Sequence, residues 1–304
     1  MLKYIVLLFS VFIIISCQNE PKSEEKAKED KKSTIIFTGE VEKLATEFAF
    51  TEGPASDSAG NVYFTDIPNN QILIWKTEEK LDTFQLKSNG ANGLYFDQNE
   101  DLLVCEGGKG RIAVYQKNED YKVVASEYND KRFNQPNDLW PDQKGGIYFS
   151  DPKYAKDPDL PQDGEHVYYI KPNSGVVRVT DDLKKPNGVI GTPDGKTLYI
   201  TDTELDKTFQ YNIKPNGNLT DKELLIDKGS DGMTLDKNSN LYLTTISNNQ
   251  VEVYSSKGEK ITSVEVPEKP SNVCFGGKEN DELFITARMS LYSIKTNTQG
   301  VDKK

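Results

Sequence analysis

The sequence predicts an all-β fold, a six-bladed propeller of four-stranded blades, and three observations carry that reading. From about residue 34 onward, β-branched and aromatic residues alternate with polar ones in short runs, and nothing keeps a helical period for long. These runs recur in six similar units of about 40–50 residues, the sequence sign of a repeat architecture. Each unit holds a short first strand, a turn rich in Asp, Gly and Asn, and a strong second strand.

The units open in turn with EGPAS at Glu52, NGLYF at Asn92, NDLWP at Asn137, NGVIG at Asn187, DGMTL at Asp231 and SNVCF at Ser271. Their second strands read NVYFTD, DLLVCE, GIYFSD, TLYITD, NLYLTT and ELFITA. Third and fourth strands follow in most copies, and four strands per unit make the blade of a propeller. The sixth unit shows only about three strands before the chain ends. The β-prone segment STIIFTGEV, residues 33–41, is therefore expected to supply its outer strand and close the ring, which removes an open edge. The propeller is expected to occupy residues 34–299, with 300–304 a tail.

Composition excludes several functions. The net charge of −11 argues against nucleic acid as a partner, since phosphates demand a basic surface. A single histidine, His166, rules out a zinc centre with two or three His ligands and a His–His catalytic pair.

The first 16 residues read as a secretory signal: Lys3, an apolar run to Ile15, then Ser16 before Cys17. A small residue followed by Cys resembles the bacterial lipoprotein signal, in which Cys17 becomes the lipidated first residue. Residues 18–33 hold ten charges and no aromatic or β-branched side chain, so they cannot pack a core and read, from Cys17 on, as a tether. The expectation is an exported protein held to the cell-envelope membrane by a lipid, and a monomer. Cys105 and Cys274 lie in apolar strand contexts and read as two buried free thiols.

Aligning the six units on their first strands puts Glu52, Asn92, Asn137, Asn187, Asp231 and Ser271 in one structural slot, with Asn272 next to the last. The innermost strand of a blade borders the central channel, so these residues should converge on the axis. Gly, Asp or Asn follows each one, so an unusual backbone is expected there. Turn chemistry alone would explain each Asn-Gly pair, but not a Glu and an Asp in the same register of different blades. Two carboxylates aimed at one axis repel unless something positive lies between them. Oxygen donors without thiolate or imidazole suit Ca²⁺ or Mg²⁺.

From Glu52 to Ile294 the chain resembles the gluconolactonase, regucalcin and lactonase family of six-bladed propellers. The motifs are EGP at Glu52, QPNDL around Asn137, SDPKY at Asp151, KPNGV at Asn187 and SDGM at Asp231. The resemblance implies a metal held by Glu52, Asn187 and Asp231, with Asn137 beside it as a fourth ligand. It also implies that Asp231 is the general base. The metal would be Ca²⁺, with Mg²⁺, Mn²⁺ or Zn²⁺ as substitutes, and the substrate a small sugar-acid lactone. The chain departs from the family at Gln135, where regucalcin-like members carry Arg, and at DPKYAKDP in place of PPYG.

A lactone is a cyclic ester, and opening it needs a polarised carbonyl and an activated water, roles for the cation and for Asp231. No GxSxG motif offers a nucleophile. Asn92, Asn137, Asp202 and His166 are the candidate substrate contacts. For Asp202 the competing reading is a turn cap, and for His166 a strand-edge residue. The insertion at 152–165 is expected to form a lid over the channel. An arylesterase or phosphotriesterase acting through the same metal, and a ligand-binding propeller without catalysis, are the alternatives, since fold alone does not decide function.

Overall fold

In the computed structural model the described residues are 1–2, 36–117, 121–154, 161–172, 175–245 and 247–301. The expected signal, the tether with Cys17 and the middle of the 152–165 insertion lie outside them. The chain divides into two units, Met1–Thr34 and Ile35–Lys304, and the second carries the fold.

That fold is the six-bladed propeller. Each blade is a four-stranded antiparallel sheet whose strands follow one another outward from the axis. The inner strands are Thr51–Ser56, Ala91–Phe96, Leu139–Pro141, Pro186–Gly191, Ser230–Leu235 and Pro270–Gly276. The second strands are Val62–Asp66, Leu102–Glu106, Ile147–Asp151, Thr197–Asp202, Leu241–Thr245 and Glu282–Ala287, at the six positions the sequence motifs mark. Burial follows position in the blade. Leu102–Glu106 is buried at all five residues, whereas Lys80–Gln85, an outer strand, is exposed at all but its last. Inner strands have a neighbouring blade against each face and lose any need to alternate, while outer strands keep a wet face.

The ring closes as expected, through an N-terminal strand, but that strand follows directly after the segment 33–41 expected to supply it. Glu42–Ala45 completes the sixth blade, pairing antiparallel with Ser290–Lys295 in the register Glu42↔Ser293 and Lys43↔Tyr292. The apolar triplet of the 33–41 segment has another use. Ile36 is 2% exposed in the cluster of Val253, Phe275 and Ile285, and Phe37 bridges Thr296. Gly39 sits in a bend between that anchor and the strand. Apolar residues are worth more in a core than on a half-wet outer strand, so Ile36 packs and EKLA makes the ladder.

The far end of the channel is crossed by the last described residues. Gly300 bridges Asp236, Lys237 N–H donates to Gln299 O at 2.8 Å, and Val301 packs against the core of blades three to five. That core is aromatic: the rings of Tyr148 and Tyr169 stack at 4.4 Å, with Trp140 at 6.0 Å from Tyr148. Cys105 and Cys274 are buried and not joined in a disulfide.

Candidate functional site

The slot residues stand where the inner strands leave the regular ladder. In blades one, two, four and five the pairing of inner with second strand slips between Glu52 and Ala55, Ala91 and Leu94, Pro186 and Val189, and Ser230 and Met233. In blade six it slips between Pro270 and Asn272. A bulge re-aims the side chain it carries, and bulges are frequent next to active sites. Gly53 shows what the bend demands: its φ is +50°, and a Cβ there would lie 2.2 Å from Asn92 O on the next blade. Only glycine fits both conditions.

The carboxyl groups gathered there are held up in pKa mainly by burial. Glu52 is 5% exposed, and its Oε2 accepts from Gly53 N–H at 3.0 Å. Burial, then the charge of Asp231, pushes its pKa well above the carboxylate range, with a smaller push from Asp138. Asp231 remains partly accessible. Burial pushes its pKa up to about 6, against the opposing hydrogen bond from Asn187 and the charges of Lys269 and Arg288. Asn187 is 1% exposed and its Nδ2 donates to Asp231 Oδ1 at 2.6 Å. Asn137 is buried as well; its N–H donates to Ser150 O at 2.9 Å, and its carbonyl accepts from Gly93 N–H at 2.7 Å. Asn92 Oδ1 is buried and has no hydrogen-bond partner among the described residues.

Two further groups belong to this neighbourhood. Asp138 is buried, with Oδ1 and Oδ2 accepting from the N–H groups of Leu139 at 2.9 Å and Val189 at 3.1 Å. Burial pushes its pKa up to about 7. A signal for it existed: blade three carries Asp where blades one, two, four and five carry Gly after the slot residue. Tyr154 reaches the slot from the loop after Ile147–Asp151, and its Oη accepts from Asn187 Nδ2 at 2.7 Å. No periodicity in the sequence marks it.

The remaining candidates have other partners. Asp202 is fully buried; its two oxygens accept from the N–H groups of Lys184, Lys185, Glu204 and Leu205, at 2.6–3.2 Å. It holds the loops on either side of it, the turn-cap arrangement weighed from sequence. His166 starts the third strand of blade three, with Nε2 3.1 Å from Asp163 Oδ1 and 3.2 Å from Arg178 on the outer strand. Burial lowers its pKa. Asp66 caps a turn in the same way, accepting from Ala49 and Phe50 N–H, whereas Glu106 is held by side chains, those of Arg111, Asn89 and Tyr121.

Among the described residues no three His, Cys, Asp or Glu side chains stand together as a metal group. A cation on this axis would have to draw on carboxamides as much as on carboxylates. On the far side of the cluster, the second halves of the inner strands enclose a cavity of about 240 Å³, walled by Leu94, Trp140, Ile190, Met233 and Val301, with Asp138 at its lining.

Fold and site together define a class: a six-bladed propeller in which the Glu52, Asp231 and Asp138 carboxyls and the Asn187 carboxamide of different blades come together. The family model described as SMP-30/Gluconolactonase/LRE-like region matches residues 50–289, and the chain belongs to that family. The gluconolactonase of Zymomonas mobilis is 28% identical over 295 residues, covering 86% of this chain and 82% of that one. The pentonolactonase XacC of Haloferax volcanii is 24% identical over 77% of this chain and 80% of its own. A solved gluconolactonase structure from Xanthomonas campestris superposes with a TM-score of 0.80 at 25% identity, covering 87% of this chain and 91% of that one. The calcium-binding regucalcin from Agrobacterium tumefaciens, at 18% identity and a TM-score of 0.73, shares the fold.

Proposed function

We propose that this chain is a divalent-metal-dependent hydrolase that opens sugar-acid lactones, gluconolactone among them, at the propeller axis. The observation that carries the reading is the gathering of Glu52, Asn187 and Asp231, where burial pushes both carboxyl pKa values up and the charge of Asp231 pushes that of Glu52 further. The relatives named gluconolactonase and pentonolactonase support the substrate class.

The residues present fit a hard cation. All donors are oxygens, and Asn92 contributes a buried oxygen with no protein partner. Glu52, Asn187 and Asp231 would hold the ion, with Asn137 beside them. Bound there, Ca²⁺ or Mg²⁺ would supply Lewis-acid polarisation of the lactone carbonyl. Asn187 fixes the direction of the Asp231 carboxylate through its 2.6 Å hydrogen bond. Asp231, a carboxylate at the axis that stays partly accessible, is the group placed to take a proton from the attacking water. Such help is worth about 10²–10⁴-fold. Tyr154 and Lys185, whose ammonium lies 5.0 Å from the Tyr154 ring centroid, narrow the approach from the side of blades three and four.

The test is lactone opening followed with a pH indicator, before and after chelation and on returning Ca²⁺. Turnover that is indifferent to a chelator would remove the metal from the mechanism. Absence of turnover on any lactone at saturating metal would leave a binding propeller.

We further propose that the chain is exported and held at the envelope membrane through an acylated Cys17, because Ser16-Cys17 ends an apolar run and a charged stretch follows. A Cys17→Ser chain should lose fatty-acid label and leave the membrane fraction. Unchanged labelling would place the lipid elsewhere.

A further inference from the structure

Resting on the lactonase reading, we infer that Tyr154 is a specificity-determining residue: its phenolic O–H donates a hydrogen bond to a hydroxyl of the bound sugar lactone. The residue closes the SDPKY motif, to which the sequence assigns no substrate contact. The backbone that carries it is pinned on several sides. Tyr154 N–H donates to Gln135 Oε1 at 2.7 Å, Lys153 N–H donates to Glu165 Oε2 at 2.9 Å, and Lys153 O accepts from Lys185 Nζ at 3.1 Å. Loop residues seldom reach an active centre with this much support, and such support is what a precise substrate contact needs.

From this base the side chain crosses from blade three to blade four. Its oxygen accepts from Asn187 Nδ2 at 2.7 Å, the same nitrogen that donates to Asp231 Oδ1 at 2.6 Å. The phenol therefore stands one carboxamide away from the proposed base. Its lone pair is used, and its proton is left to donate. The acceptor within reach on the protein is Thr203 Oγ1, at 3.3 Å, a long contact for an O–H···O bond. Thr203 in turn reaches Lys185 O at 3.3 Å, so its own proton has a partner. A substrate hydroxyl at ordinary distance would take the Tyr154 proton in preference to Thr203.

The exposure of the residue agrees with a site role. Tyr154 is 50% exposed although its hydroxyl is engaged with the fully buried Asn187, so the ring is open to the mouth. Lys185 Nζ lies over the ring at 5.0 Å. A polyhydroxylated ring offers C–H groups to such a surface and hydroxyls to the phenol and the ammonium. An unsubstituted lactone offers only the ester. The geometry thus predicts discrimination by hydroxylation, with the ester itself handled at Glu52, Asn187 and Asp231.

The test compares wild type with Tyr154→Phe on glucono-δ-lactone and δ-valerolactone, which share the ring size and the ester. Loss of one hydrogen bond to substrate should raise KM for gluconolactone about 10-fold relative to the change for valerolactone, with kcat moving far less. Calorimetry with Ca²⁺ alone runs in parallel. If Tyr154 only orients Asn187, the substitution weakens Ca²⁺ binding and both lactones suffer equally, and either result overturns the inference. Binding of gluconolactam, which resists hydrolysis, separates this inference from the catalytic reading. A lactam bound about 10-fold less tightly by Tyr154→Phe supports the contact even if no lactone is turned over. A lactam bound equally by both proteins, or by neither, sinks it.

Discussion

Each inner strand has two halves that differ in almost everything. The first half carries Glu52, Asn92, Asn187 and Asp231, with Asn137 just ahead of the blade-three strand; in blades one, two, four and five it breaks the ladder with a bulge, and it ends among carboxyls whose pKa values are raised. The second half is regular and apolar, from Leu94 through Trp140 and Ile190 to Met233, and the chain's end at Val301 packs onto it. Repulsion between carboxylates stays at one end of the axis, and the packing that holds six blades together works at the other. Chemistry placed in the first half can be altered with little loss of fold, and damage to the second half should be felt as stability.

The sharpest way to break this comparison is to exchange the expected effects. Asp231→Ala should lower kcat by about 10³-fold at saturating metal, because the proposed base and a ligand go together. Asn187→Ala should weaken metal binding and recover part of its turnover in excess metal. Both chains should melt near wild type when compared without metal. A large loss of melting temperature in either would show that the first half is structural after all. Trp140→Ala makes the reverse claim. Its ring is 5% exposed and fills the space at Gly191, so truncation should cost about 3–5 kcal/mol in denaturant unfolding while turnover per folded molecule persists.

How much of this contrast was legible in the sequence follows from how local each part is. The blades announce themselves because each second strand, from NVYFTD to ELFITA, is a continuous apolar run bounded by turn residues. The slot ring is legible because a repeat puts equivalent residues in equivalent places, so Glu52 and Asp231 could be related across 179 positions of intervening chain by register alone. Tyr154 stands in the SDPKY motif, but its role escaped because it reaches Asn187 from a loop with no counterpart in the other blades. The closing strand was displaced because residues 33–41 and 42–45 are both able to form strand. What separates them is the pocket that takes Ile36, and that pocket is built from blades five and six.

The closing segment sharpens the comparison at the rim. A chain starting at Glu42 keeps the strand pairing with Ser290–Lys295 but loses the burial of Ile36 and the Phe37–Thr296 bridge. Burial of one such side chain is worth about 1.5–3 kcal/mol, so this chain should melt several degrees below one starting at Ser33. A chain starting at Thr46 loses the strand too and should fall much further. Equal melting of all three would mean that blade six is closed without the N-terminus.

The smallest effect is a pH dependence confined to the first half of the strands. Asp231 and Asp138 have pKa values raised from 3.8 to about 6 and about 7, and that of Glu52 is also raised well above its ordinary range. Raised folded-state values mean that the native protein holds protons that the unfolded chain gives up. Stability from these groups is therefore full below about pH 4 and is lost as the pH climbs through 6 and 7. Chelated protein should accordingly lose melting temperature between pH 5 and pH 8, against the background set by surface groups. Added Ca²⁺ should restore it most at pH 8, where the carboxyls are ionised and ready to bind. Trp140→Ala should lower the whole curve without changing its slope, whereas Asp231→Ala should flatten it. A slope that survives removal of Asp231, Glu52 and Asp138 in turn would place the titrating groups away from the axis and dissolve the division between the two halves.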